Sequence, residues 1–351
     1  MAKQGKEEKK YQSVNEVDIV GKLVSIEVKD LTTKKGVPMK IIDFEVQTSK
    51  HEKHKATMMA MEPNKDSSKF QKSQWKAAET IESDYVTQEN VEDEESEHYE
   101  GKANIVAIKG NFDANVYKDK KDNVVIRPQV RASFINRLDN ASVEDFGASF
   151  RLGGFLHSNP KPVVERDSDG DEVETGKHVI EDFRVIDYTG KAVPFKLYGG
   201  DTGKMNAGEW MEENLEKGMT MVFSGNYVNH FEVIETPIGD QSGGFGEQMV
   251  DTRRVYTNEL QVVGGLTPLN HEDFDETDSG DRLKVVFPDV MEESLKAWKQ
   301  FEAERVADQE ERNKPSGKAK EGFGETKKSN KSTKKKKAQV PDDIDDDDLP
   351  F

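Results

Sequence analysis

The chain has 351 residues, of which 33% are hydrophobic and 34% charged, and its formal charge is −18. That length holds about two domains at ~150 residues each, and the polarity predicts modest cores beside disordered segments. Cysteine is absent, which excludes disulfides and thiolate-held zinc, and no run of ~20 apolar residues offers a membrane span, so the composition predicts a soluble intracellular protein.

The start, MAKQGKEEKKYQS, lacks the apolar stretch of an export signal, and residues 1–13 read as a basic arm. Strand-forming stretches follow at VDIVGKLVSIEV, MKIIDFEV and HKATMMAM, divided by Lys, Asp and Gly turns. KFQKSQWKAAETIES (69–83) breaks the pattern, with Trp75, Ala78 and Ile81 at helical spacing. Two more strands, ANIVAIKGNFDANVY and NVVIRPQVRASFINRL, complete a first unit over 14–140.

A second unit over 147–268 repeats that order, with SFRLGGFLHS, KHVIEDFRVIDY, AVPFKLYGG, a helix in GEWMEENLEKG, then MTMVFSGNYVNHFEVIE and TRRVYTNELQVVGGL. Four echoes link the units: GKLVS with GFLHS, IIDFEV with IEDFRV, KGNFDANVY with SGNYVNHFEV, and ASFINRL with RVYTNEL. Three strands, a helix and two strands is the order of the OB-fold, a small Greek-key barrel. The fold class expected is therefore all-β with small helices, as tandem OB-fold barrels. Beyond them, 287–312 reads as a helix with Met291, Leu295 and Trp298 on one stripe, packed on the second barrel or meeting a partner. The Lys/Gly/Ser-rich stretch 313–341 reads as a disordered linker, and 342–351, DDIDDDDLPF, as an acidic tip.

Catalytic and metal-binding motifs fail on spacing. HEKH (51–54) brings its second histidine one residue too early for a helical zinc site, and reads as two surface histidines. DSDGD (167–171) lacks the glutamate of a calcium loop at its twelfth position, where His178 stands, and reads as an acidic hairpin turn. GGFG (243–246) lacks the Lys-Ser/Thr of a phosphate loop. No cofactor, metal or enzymatic activity is expected.

Single-strand binding needs aromatic faces for bases and cations for phosphates. The first unit offers Phe112, Tyr117 and Phe134 with Lys118, Lys120, Lys121, Arg127 and Arg131. The second offers Tyr198, Tyr227, Phe231 and Tyr256 with Lys196, Arg253 and Arg254. Phe44 and Phe183, inside apolar runs, are expected in the cores.

The end of the chain, Asp345, Asp346, Asp347, Asp348, Leu349, Pro350 and Phe351, resembles the tip of the bacterial single-stranded DNA-binding protein family. The resemblance implies an OB-fold protein that coats single-stranded DNA in replication, recombination or repair and recruits partner enzymes through those seven residues. It also implies the cytoplasm of a bacterial cell and leaves a homo-oligomer open. Two barrels depart from the single-barrel bacterial pattern, in keeping with a phage or plasmid origin. The alternatives are an OB-fold scaffold that binds proteins and a nuclease accessory protein.

Overall fold

The computed structural model describes residues 12–33, 36–166, 170–237, 250–273 and 285–313. The first unit contains β1 (Asn15–Thr32), β2 (Pro38–Ser49), β3 (Glu52–Met61), α1 (Lys69–Asp84), the short α2 (Gln88–Glu92), β4 (Ile105–Lys118) and β5 (Val124–Arg137). Strand β1 pairs antiparallel with both β2 and β4, β3 joins β2 antiparallel and β5 in parallel, and the β4–β5 hairpin closes the ring. This closure is that of an OB barrel. Alternation drives it: Val17, Ile19 and Leu23 of β1, Ile42, Phe44 and Val46 of β2, and Ala56, Met58 and Ala60 of β3 all point inward. Ser68 and Gln71 form a capping box that starts α1, which buries Ala78 and Ile81 against the barrel.

The second unit runs β6 (Gly147–Leu156), β7 (Lys161–Arg166), β8 (Glu172–Ile186), β9 (Ala192–Gly199), α3 (Ala207–Asn214), β10 (Thr220–Pro237) and β11 (Val250–Gly265). Its pairings match the first: β6 with β8 and β10, β8 with β9, β9 in parallel with β11, and β10 with β11. A β7–β8 hairpin is added at its edge; of the acidic DSDGD stretch there, 167–169 lie outside the described residues. The barrels join through β1 and β6, antiparallel from Asn15↔Leu152 to Val20↔Gly147, so all eleven strands form one sheet.

Three of the four sequence echoes occupy equivalent places. Phe44 and Phe183 fill the two cores while Asp43 and Asp182, one residue earlier, face outward. Gly110 and Gly225 each sit at a β-bulge beside the neighbouring strand, where an added Cβ would lie 2.1 Å from the Arg131 carbonyl oxygen and 1.9 Å from that of Gln261. Gly21 and Gly154 likewise press on the Gln47 and Arg184 carbonyls. The fourth echo is not structural. Phe134 pairs beside the first bulge with Lys109, whereas Tyr256 pairs with Phe231, well beyond the second.

The last helix, α4 (Pro288–Asn313), ties the two units together. Met291 and Leu295 pack on Phe155, Ile186, Ala192 and Val286, and Trp298 is buried in the main core. Further along, Glu310 pairs with the Lys118 ammonium, and Gln309 accepts from the Lys118 backbone N–H at 2.7 Å. The stripe therefore packs on the second barrel and the helix end grips the first.

Candidate nucleic-acid interface

The β4–β5 and β10–β11 hairpins each lean across the other barrel. Phe112 meets Phe195 of β9 edge-on at 5.9 Å and Tyr227 at 5.3 Å, and Tyr227 tilts over the His54 ring at 4.7 Å. Further out, the Phe231 N–H donates to the His51 carbonyl and the Asn229 amide to that of Lys53. This crossing leaves a groove over each barrel's second and third strands, the face that OB-folds use for oligonucleotides and oligosaccharides.

Groove 1, of about 590 Å³, lies between β2–β3 and the two hairpins. Its polar walls include Lys55, Asn115, Arg127, Gln129, Asn229 and Asn258. Carboxylates hold their own there. Asp43 accepts from Thr57 at 2.7 Å and from Lys29 at 3.0 Å, and Glu45 pairs with Lys53 at 2.7 Å. Burial pushes the Tyr227 phenol up to about 12, against a hydrogen bond with Asn258.

Groove 2, also about 590 Å³, lies between β8–β9, the β4–β5 hairpin and α4. Val124, Ile126, Tyr198 and Trp298 give it apolar walls, and His157, Lys196 and Lys299 line it as well. Glu181 binds Lys196 at 2.6 Å and Lys161 at 3.3 Å. Burial raises the Glu181 carboxyl, but the two lysines outweigh it and its pKa is lowered. The hydrogen bond that the Lys196 ammonium donates to Glu181 in turn raises the ammonium pKa.

Only part of the sequence-predicted site converges on these grooves. Phe112, 2% exposed, and Tyr227, 6% exposed, are joint and core residues, which corrects their assignment as base-stacking rings. Their inward register continues the unbroken alternation of their own strands, in which Val106, Ile108 and Phe112 of β4 and Met221, Phe223 and Tyr227 of β10 are all buried. Tyr117 is half-buried with the Arg127 guanidinium 5.6 Å from its ring centre. Lys118 is paired with Glu310, and Arg131 with Asp113 at 2.8 Å. Lys120 and Lys121 are exposed at the turn of the β4–β5 hairpin.

Phe134, 52% exposed, stacks edge-on with Phe70 of α1 and lies in neither groove. Lys196 and Tyr198 line groove 2. Phe231 is half-buried against His51 and faces Tyr256 across the β10–β11 hairpin, where Arg253 is exposed and Arg254 pairs with Val233 in the ladder. His54 is fully buried, a correction to the reading of HEKH as two surface histidines: β3 alternates, and position 54 falls on its inner face. Residues 342–351, with Asp345, Asp346, Asp347, Asp348, Leu349, Pro350 and Phe351, lie outside the described residues, as do 243–246.

Sequence reasoning missed Asn258, which lines both grooves, and also His157 and Lys299. A signal existed for each, since Asn258 sits inside the RVYTNEL echo. His157 sits inside the GFLHS echo, and Lys299 follows Trp298 on the predicted helix. Among the described residues no group of three His, Asp or Glu side chains is placed to hold a metal ion, and no helix is long and apolar enough to cross a membrane.

The model of the YorF family matches residues 13–284. No curated protein matches the chain. Among solved structures, the wild-type single-stranded DNA-binding protein from Thermus aquaticus is similar at 15% identity, over 77% of this chain and 99% of that one, with a TM-score of 0.40. The mitochondrial single-stranded DNA-binding protein Rim1 of S. cerevisiae aligns at 13% identity over 37% of this chain and 98% of its own, TM-score 0.22. A replication protein A heterotrimer bound to single-stranded DNA aligns at 12% identity over 82% and 70%, TM-score 0.22.

Proposed function

The chain belongs to the YorF family, and from the geometry of its two grooves we propose that it is a non-enzymatic single-stranded DNA-binding protein. One observation carries this reading: both barrels present the OB ligand face as an open groove, and the two grooves meet at Asn258. A single strand laid along them would pass Arg127, Lys55, Lys196 and Lys299 for its phosphates and Tyr198 for a base. In the finer version of the proposal the protein coats strands during replication, recombination or repair, and the 342–351 segment recruits partner enzymes. Its aspartates would steer the encounter with a basic partner, and Leu349 and Phe351 would supply apolar anchors.

Groove 1 favours a second reading. Glu27, Asp43 and Glu45 there outnumber Lys55 and Arg127, a balance that suits a basic or neutral peptide and hence a protein-binding scaffold. Titration of labelled oligo-dT at several salt concentrations separates the two. Neutralisation of phosphates requires log K to fall with log salt, by ~0.7 per contact on a single strand. Absence of oligo-dT binding at low salt would sink the DNA reading, and equal affinity for duplex would exclude base stacking.

A further inference from the structure

We propose that His157, Lys217 and Lys299 seat one phosphate group at the mouth of groove 2, an inference that rests on the single-strand reading only for the identity of its ligand. The three residues come from three elements held together by the fold. The His157 N–H donates to the Asp182 carbonyl at 2.9 Å, at the end of β6. Lys217 precedes β10 in a turn fastened to the same stretch, since its backbone N–H donates to the Asn159 side chain at 2.7 Å and the next, Gly218 N–H, to the Leu156 carbonyl at 2.8 Å. Lys299 is carried by α4, whose rotation is set by the burial of Trp298 one residue before.

The charges around them leave an anion unserved. Arg184 is consumed by Asp182, at 2.6 and 2.9 Å, and by the Ala192 carbonyl at 3.0 Å. Glu181 is shared by Lys161 and Lys196. Neither Lys217 nor Lys299 has a carboxylate partner among the described residues, and the remaining acid of the groove is Glu302. The lining of groove 2 holds three cations, Arg184, Lys196 and Lys299, and three carboxylates, Glu181, Asp182 and Glu302; Lys161 adds a further cation on Glu181 and Lys217 another beside His157. Burial holds the His157 imidazole below its ordinary pKa; Asp182 pulls upward, and Arg184, Lys217 and Lys299 add to the lowering. A phosphate placed among these cations reverses that field, favours the imidazolium and gains a donor from it. The imidazole pKa is therefore higher in the complex than in the free chain, and affinity rises as pH falls through the interval between the two.

The test follows oligo-dT binding from pH 8 to 5.5 for the full chain and for His157→Gln, Lys217→Ala and Lys299→Ala, with the melting temperature of each as a control for folding. Wild type is expected to tighten as pH falls. His157→Gln should lose that part of the dependence, and each lysine variant should flatten the salt slope by ~0.7. Strand binding with identical pH and salt profiles in all four proteins would overturn the seat. The His157 imidazole resonances give a second readout with inorganic phosphate alone. If they move with phosphate in wild type but not in the double lysine variant, the seat stands even should oligo-dT fail to bind, which would refute the DNA reading instead. If they move in neither, the seat is refuted.

Discussion

Replacing Phe112 by alanine separates a structural ring from a ligand-binding one. The ring is 2% exposed and packs edge-on against Phe195 and Tyr227 at the joint of the two barrels. Its burial contributes about 1.5–3 kcal/mol of transfer free energy. Two aromatic pairs add roughly 0.5–1.5 kcal/mol each. The sum agrees with the ~3–5 kcal/mol measured for such truncations in cores, where an unfilled cavity also contributes. At ~2–4 °C per kcal/mol for a unit of this size, the melting temperature should fall by roughly 6–20 °C. Thermal unfolding followed by circular dichroism, beside an oligo-dT titration at low temperature, reads both consequences. A melting temperature within a degree or two of wild type, with binding lost, would show that the ring faces a ligand and that its place in the joint is wrong.

Four further outcomes are expected. The Tyr227 pKa of about 12 lies above the ordinary ~10, so its neutral phenol adds stability that is complete below pH 10 and disappears as pH rises to 12; at 1.36 kcal/mol per pKa unit that is on the order of 3 kcal/mol, and wild type should lose it against Tyr227→Phe in denaturant titrations across that range. Gly225→Ala forces a Cβ onto the Gln261 carbonyl 1.9 Å away and should lower the unfolding free energy from denaturant titration by roughly 1–3 kcal/mol, whereas Gly147→Ala, with nothing within 4 Å, should change it little. Glu45→Gln removes a charge from groove 1 and should strengthen oligo-dT binding a few-fold at low salt; unchanged affinity in a binding isotherm would favour the scaffold reading. Phe351→Ala should leave strand binding intact while lysate pull-downs lose their partner enzymes, and retention of the same partners would reduce the tail to a solubilising run.

The sequence by itself determined the two barrels. Period-2 alternation, the helical spacing of Trp75, Ala78 and Ile81 and three of the repeated motifs are local signals, and each lies where the fold needs it. The Asp-Phe pairs illustrate this best: a strand residue inside an apolar run has one face to go to, and Phe44 and Phe183 went there. The tertiary structure alone decided which aromatics meet solvent. A one-residue bulge on β5, where Lys109 pairs with Phe134 and Gly110 with Ala132, breaks that strand's alternation and leaves Phe134 exposed, while β4 and β10 keep theirs and turn Phe112 and Tyr227 inward. Pairing across long separations decided the rest. Lys118 finds Glu310, 192 residues away, and Lys299 enters groove 2 because Trp298 buries in a core built by both barrels. Such contacts depend on how barrels and helix pack together, and no periodicity within one strand encodes them.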